Sequence, residues 1–354
     1  MHKFLSRVAC GICLLLTASS AHGGKVTFSS DGTFLVDGKP FFPIGIWVYN
    51  LDAHVMADLH GHHFNTIVGV GFKPDDVPLI EKHGMMMIPH ITDEFFAKKD
   101  SPALLGWHLT DEPEEHKVSP AEVRKLYDAL KAKEKDHPIG VTHNQFLSLE
   151  QFKETSDFTM TDIYPVTRDR LWKLSDVGKH TREVRRVNGA GWPNLTFVQT
   201  FGGPETDGGI WSQPLPHEVR FMAFNALVHR ANGICYFSYW PRAPITWNAV
   251  AEVNRDIRRI VPWLIAEGEE VKAQADHPSV EIRARKVGDG WMVIATNKEP
   301  RACAAILTVP PLGDATLTLP FESRRVNIHA GRWREQFDPH EVRVYLNGDE
   351  PEWP

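Results

Sequence analysis

The chain predicts an α/β fold, a (β/α)8 barrel followed by a smaller all-β domain, and three observations carry that prediction. Eight short apolar runs recur along the first three quarters of the sequence. Segments with helical spacing of apolar residues lie between them, clearest at 120–135, 171–187, 217–231 and 249–266. From about Val271 the helical spacing stops, and short strands bounded by turn residues take over. Strands that lack polar alternation and are each followed by a helix belong to a parallel sheet covered on both faces. Eight such units close into a barrel.

Taken in order, 25–28 and 33–36 read as a hairpin, with Asp37-Gly38-Lys39 as a second tight turn. The barrel strands are expected at 41–48, 65–71, 85–91, 104–110, 138–143, 158–166, 195–201 and 233–239. The third unit has the weakest helix, around 94–102. In the last part, strands are expected at 280–286, 291–296, 304–309, 315–319, 325–329 and 342–346, with Gly288-Asp289-Gly290 turning the first pair. The predicted organisation is therefore a segment 1–23, a barrel with its opening hairpin over 24–268, and a β-sandwich over 269–354.

Residues 1–23 have the pattern of a secretory signal: Lys3 and Arg7, an apolar run from Val8 to Thr17, then small residues around Ser19 to Gly24. That run is too short for a membrane span, and no later run is long enough. The expectation is an exported protein, periplasmic or secreted. The net charge of −6 becomes more negative once Lys3 and Arg7 leave, and no basic cluster stands out, which argues against a nucleic-acid partner. Cys10 and Cys13 leave with the signal; Cys235 and Cys303 remain, one in each domain, and read as small buried apolar residues, with a bridge between them the alternative and no cysteine-based metal site available.

In such barrels the chemistry sits at the C-terminal ends of the strands. The fourth strand ends in Asp111-Glu112-Pro113, two adjacent acids fixed by a proline. Like charges this close raise the proton affinity of at least one acid at a part-buried site. The neighbouring Glu114, Glu115 and His116 read as exposed. The other strand ends supply Trp47, His143, Asn144, Asp162, Tyr164, Gln199, Tyr239 and Trp240. Aromatic faces of this kind cover the apolar face of a sugar ring, while amides and carboxylates pair with its hydroxyls. The expected partner is a carbohydrate.

The run Phe34-Leu35-Val36-Asp37-Gly38-Lys39-Pro40-Phe41-Phe42-Pro43-Ile44-Gly45 resembles the opening hairpin and first strand of many TIM-barrel glycoside hydrolases. The large retaining clan of those enzymes ends its fourth strand in Asn-Glu-Pro, whose Glu is the acid/base. The resemblance thus implies that role for Glu112. That clan places a nucleophilic Glu at the end of the seventh strand, whereas this chain reads Phe197-Val198-Gln199-Thr200-Phe201-Gly202-Gly203 there. Glu205, in the loop beyond, is the nearest candidate nucleophile. The Asp-Glu pair is also similar to hexosaminidases, including families 20 and 123, in which the substrate's own 2-acetamido group attacks. That likeness implies Asp111 as the orienting residue, Glu112 as the acid and Tyr164 as a hydroxyl for the acetamido oxygen. It requires no cofactor and no protein nucleophile.

Two rivals remain. Metal-dependent hydrolysis would need His90, Asp93 and His143 to meet, since the first strand carries no His-x-His. A non-catalytic sugar-binding barrel, or a degenerate glycosidase, would account for the missing seventh-strand acid. Trp291 and Trp333 read as core of the β domain, and the sequon at Asn194 begins a buried strand.

Overall fold

The computed structural model describes residues 24–204, 206 and 209–351. The expected signal segment therefore lies outside the described residues, and so does Glu205.

A small antiparallel sheet opens the chain: β1 (Val26–Phe28), β2 (Phe34–Val36) and β3 (Lys39–Phe41). The barrel follows, with β4 (Ile44–Trp47), β5 (Thr66–Gly69), β6 (Met86–Pro89), β7 (Trp107–Thr110), β8 (Ile139–His143), β9 (Phe158–Thr161), β10 (Asn194–Gln199) and β11 (Gly233–Phe237). These form one parallel eight-stranded sheet ordered β6-β5-β4-β11-β10-β9-β8-β7. The remaining seam, between β6 and β7, is joined by parallel bridges Met87 to Leu104 and His90 to His108. The barrel is thereby nearly closed.

Most of the strands are buried at every position, as a sheet with both faces covered must be. One face fills the barrel interior with Trp47, Val68, Ile88, Leu105, Phe158, Met160, Leu195 and Phe197. The hairpin plugs the bottom of this interior: Phe34 packs against Phe158 with ring centroids 5.5 Å apart. The other face packs on helices α1 (Ala53–Gly61), α2 (Val77–Lys82), α3 (Asp93–Phe96), α4 (Pro120–Lys131), α5 (Asp176–Asn188), α6 (Pro216–Val228) and α7 (Pro244–Ile265). Local chemistry starts them. Asp52 caps α1 by accepting the Val55 N–H at 2.8 Å, and Ser119 with Glu122 forms a capping box before Pro120 of α4. The crossover from β8 to β9 is the exception, since its turns over 145–155 contain no α-helix. Phe146, Leu149 and Phe152 still bury apolar surface there.

The all-β part comprises β12 (Glu269–Val271), β13 (Gln274–Ala275), β14 (Val280–Val287), β15 (Gly290–Asn297), β16 (Cys303–Thr308), β17 (Ala315–Leu319), β18 (Arg324–Ile328), β19 (Arg332–Phe337) and β20 (Val342–Asn347). A six-stranded sheet and a three-stranded sheet enclose one core that includes Trp291 and Trp333. β19 was not expected from sequence, because Arg332, Arg334 and Glu335 obscure its alternation. Glu335 turns inward and is held by Arg324 and Tyr345.

The β domain docks on α6 and α7, which explains why α6 is apolar on nearly every face. Arg283 donates to the Leu227 carbonyl at 2.8 Å and Arg285 to the Trp263 carbonyl at 2.8 Å. Both satisfy carbonyls left open at helix C-termini. Cys235 is a buried free thiol and Cys303 a half-buried one. Among the described residues no helix is long and apolar enough to cross a membrane.

Candidate active site

The site begins with a distortion in β7. Its register against β8 slips between His108 and Thr110, a bulge of the kind that re-aims side chains at barrel rims. His108 beneath it is fully buried, and burial lowers its proton affinity to about 3. Its Nε2 lies 3.0 Å from the Thr110 carbonyl, which only accepts, so Nε2 carries the hydrogen. The neutral ring makes the 3.6 Å approach to Asp111 a contact rather than an ion pair.

Past the bulge the chain reaches Asp111 and Glu112. Glu112 has a left-handed backbone, φ +39°, which a non-glycine residue adopts at some cost in strain. Three hydrogen bonds hold it there. Its N–H donates to the Thr142 carbonyl at 3.1 Å, and its own carbonyl accepts from Glu115 and His116 at 3.0 Å each.

The strand following β9 supplies the opposing groups. Asp162, only 6 % exposed, anchors its N–H to the His143 carbonyl at 3.2 Å. Tyr164 O–H donates to Asp162 Oδ2 at 3.3 Å. The raised proton affinity expected of the acid pair appears at Asp111, pushed up to about 6 by burial and then by Glu112, with the Thr142 hydroxyl opposing. At Asp162 it is raised well above the carboxylate range, first by burial and then by Glu112. With both ionised, Asp162 Oδ1 has no donor. A proton on Asp162 turns its repulsion of Glu112 into a hydrogen bond. Burial, then Asp162, keeps the Tyr164 hydroxyl protonated.

Above these groups opens a cavity of about 790 Å3 lined by Asp111, Glu112, Glu115, Asn144, Asp162 and Tyr164, among others. Tyr164 stacks on Phe237 at 5.3 Å and meets Phe201 edge-on at 5.1 Å, while Trp211 packs on Phe201 at 5.6 Å. The result is an aromatic wall facing a floor of acids.

Five of the expected site residues thus meet at one cavity: Asp111, Glu112, Asn144, Asp162 and Tyr164. Five others have different positions. Trp47 lies inside the barrel over Gly69, where an added Cβ would come within 2.7 Å of the indole. His143 pairs its Nδ1 with Glu114 at 3.0 Å. Glu114, expected to be exposed, has a buried side chain that also accepts the Asn144 and Gln145 N–H groups. Burial opposes its ionisation, but the His143 contact and backbone N–H groups, that of Gln145 among them, outweigh burial and lower its proton affinity. Gln199 is fully buried, bonding both the N–H and the carbonyl of Val166 at 2.9 and 3.1 Å. Tyr239 donates to Asp58 of α1 at 3.0 Å. Trp240 packs under the Arg242 guanidinium at 5.1 Å, outside the cavity lining.

Residues not singled out as binding groups complete the cavity: Glu115, Gln145, Phe146, Leu147, Ile163, Trp172, Phe201, Trp211 and Phe237. The signal was weak but present, since Phe146-Leu147 and Leu171-Trp172 are apolar pairs within otherwise polar loops. His90 stacks edge-on against His108, so it does not meet Asp93 and His143 as a metal set, and no metal-holding group of three occurs among the described residues. A second cavity, about 610 Å3, lies at the opposite end beside the hairpin. Its Lys131 and Tyr127 are both engaged by Asp157, at 2.7 and 2.8 Å.

No protein family and no curated protein matches the sequence. Solved structures do. A GH30 endoxylanase from Clostridium papyrosolvens C71 superposes with a TM-score of 0.56 at 11% identity, covering 92% of this chain and all (100%) of that one. A family 5 glycoside hydrolase from Bacteroides vulgatus gives 0.60 at 11% identity, over 91% and 93% of the two chains. A GH27 β-L-arabinopyranosidase from Geobacillus stearothermophilus gives 0.60 at 9% identity, over 86% and 95%. At such identities the likeness is one of fold, and that fold is the TIM barrel with appended β domain found among glycoside hydrolases.

Proposed function

We propose that this protein is a glycoside hydrolase that cleaves O-glycosidic bonds of an oligo- or polysaccharide, with Glu112 as general acid/base and Asp111 as its orienting partner. The observation that carries the reading is the gathering of Asp111, Glu112, Asp162 and Tyr164 under an aromatic wall at the C-terminal mouth of the barrel. Aromatic faces seat a sugar ring, and an acid held in a strained, fixed backbone meets its leaving oxygen without reorganising.

The acids favour one mechanism. Paired-carboxylate hydrolysis needs the two groups about 5 Å or more apart, on opposite sides of the scissile bond. Asp162 touches Glu112 and Asp111 adjoins it in sequence, so neither stands across from the acid. A 2-acetamido group on the substrate supplies the missing nucleophile, as the likeness to Asp-Glu hexosaminidases implies. Its carbonyl oxygen bonds to the anomeric carbon as the glycosidic bond breaks, and the Glu112 proton passes to the leaving oxygen. The ionised Asp111 stabilises the acetamido N–H and the Tyr164 hydroxyl orients the acetamido oxygen. Water then opens the ring, giving its proton back to Glu112. Because Asp111 must be ionised, the rate should fall below about pH 6.

Gln199 at the place of the clan nucleophile favours a second reading, a non-catalytic sugar-binding barrel. One experiment separates the two. Aryl glycosides with and without a 2-acetamido group, together with polysaccharides, are offered to wild type and Glu112→Gln. The proposal expects hydrolysis confined to 2-acetamido sugars and reduced on the order of a hundredfold or more in the variant. Hydrolysis of plain hexosides would direct attention to Glu205. Equal rates for both proteins would refute Glu112 as the acid. Binding without cleavage would establish the second reading. Export is part of the proposal, supported by the 1–23 pattern, and a precursor retained uncleaved in the cytoplasm would contradict it.

A further inference from the structure

Asp111, Glu112, Glu115 and Asp162 all line the candidate site, and among its described lining residues there is no Lys, Arg or His. Cation-capable groups nearby stay outside that lining. Lys179 lies over the Phe146 ring at 4.2 Å, and His116 acts on Asp111 only through space. Glu114 adds to the negative field acting on both Asp111 and Asp162, while its own carboxylate is engaged by His143.

A second observation is independent of charge. Asp162 and Asn144 line the cavity, and each has one side-chain oxygen, Oδ1, that is buried and has no hydrogen-bond donor. Asp162 is 6 % exposed. Buried acceptors without donors are costly, and a ligand that brings donors recovers that cost. At Asp162, burial and the neighbouring Glu112 favour a retained proton.

We infer that the cavity ranks sugars by charge, binding a free amino sugar more tightly than its neutral N-acetyl counterpart and excluding the corresponding uronate. The inference rests on the sugar-binding reading above and adds the charge class of the ligand. An ammonium brings three donors and a positive charge to a cavity lined by four acids, with no Lys, Arg or His among its described lining residues. It replaces the proton on Asp162, which leaves to solvent, so net charge in the site is conserved. A uronate brings a further negative charge to a cavity already lined by four acids. The amino sugar is then a tight ligand that lacks the carbonyl oxygen required for assisted cleavage, so it inhibits rather than turns over.

The test is calorimetric titration of the intact protein near neutral pH at low salt. Its probes are oligosaccharides of glucosamine and galactosamine, their N-acetylated forms, and oligogalacturonates. The amino forms are expected to bind on the order of tenfold more tightly than the N-acetyl forms, with the advantage shrinking as salt is raised. Their binding should release protons, seen as a dependence of the heat on the buffer's ionisation enthalpy, and Asp162→Asn should abolish that release. Oligogalacturonates should give no measurable heat with wild type and gain binding in Glu115→Lys, a change at an exposed rim residue. Equal binding of all three classes, or tighter binding of the N-acetyl or uronate forms, overturns the inference while leaving the sugar-binding reading intact. Binding by none of them refutes both.

Discussion

Glu281 and Asp111 are both partly withdrawn from water, yet the first is held ionised and the second is driven toward protonation. Burial raises the proton affinity of each. At Glu281, between α6 and the β domain, burial is outweighed by His229 at 3.2 Å, Asn225 at 2.8 Å and Lys298, and the proton affinity falls to about 2. At Asp111 the next influence is another acid, Glu112, so burial and repulsion act together. Glu270 repeats the first pattern with Arg283, and Asp162 repeats the second. Desolvation therefore has one sign everywhere, and the neighbour decides the outcome. Where this chain supplies donors and cations, the acid joins two domains. Where another acid is the strongest neighbour, the carboxyl holds its proton more tightly.

The contrast is open to measurement through stability against pH. Glu281 has a folded-state value of about 2 against 4.5 for the free side chain. It contributes about 3 kcal/mol above pH 4.5, lost as pH falls through 2. Glu281→Gln should lose roughly that amount at neutral pH, by urea unfolding, and be flatter in acid. A variant as stable as wild type would break the comparison. Gln199→Glu comes next. The Gln199 amide nitrogen donates to the carbonyls of Val166 and Phe201, both at 3.1 Å, and a carboxylate oxygen in its place would face those acceptors without a hydrogen. It should cost about 2 kcal/mol or more and create no nucleophile. A stable variant with increased hydrolysis would show that the seventh strand can still carry the clan's acid. Asp111→Asn should have the opposite stability sign to Glu281→Gln. Wild type should lose stability as pH rises from about 3.8 through 6, because the folded protein holds its Asp111 proton longer than the unfolded chain does. The variant should lack that decline and be more stable at neutral pH while losing activity. Reduced stability at neutral pH would mean that the floor acids are structural.

The fold was legible in the sequence to a degree that the site was not, and the reason is geometrical. A strand buried on both faces needs only continuous apolar residues, so 194–199 and 233–237 declare themselves. Which strand-end side chain enters the mouth depends on pleat and local distortion. His143 ends one barrel strand and Asp162 directly follows the next, yet His143 turns to Glu114 and Asp162 to Glu112. The bulge at His108 to Thr110 aims the Asp111-Glu112 pair, and no residue type announces it. Glu114 was misjudged for a related reason. Its exposure depends on a histidine 29 residues further along, which local sequence cannot show.

Tyr239 gives the smallest and most specific prediction. As an aromatic at the end of the eighth strand it was assigned to the sugar, but its hydroxyl donates to Asp58 Oδ2 at 3.0 Å, beside the Trp247 indole at 3.1 Å. Asp58 is thus held by the Tyr239 and Trp247 donors on one oxygen, while the His62 ring lies 3.1 Å from the other. Tyr239→Phe removes one of these donors, keeps the ring and leaves the Trp247 bond in place. It should cost about 1 kcal/mol in unfolding experiments. Hydrolysis should keep its wild-type KM and kcat, because the hydroxyl lies on the helix side of the strand. A rise in KM with unchanged stability would instead mean that the tyrosine swings into the mouth when sugar binds. In that event the eighth-strand end would join the cavity, and the boundary between acids that hold the fold and acids that meet the substrate would have to be redrawn there.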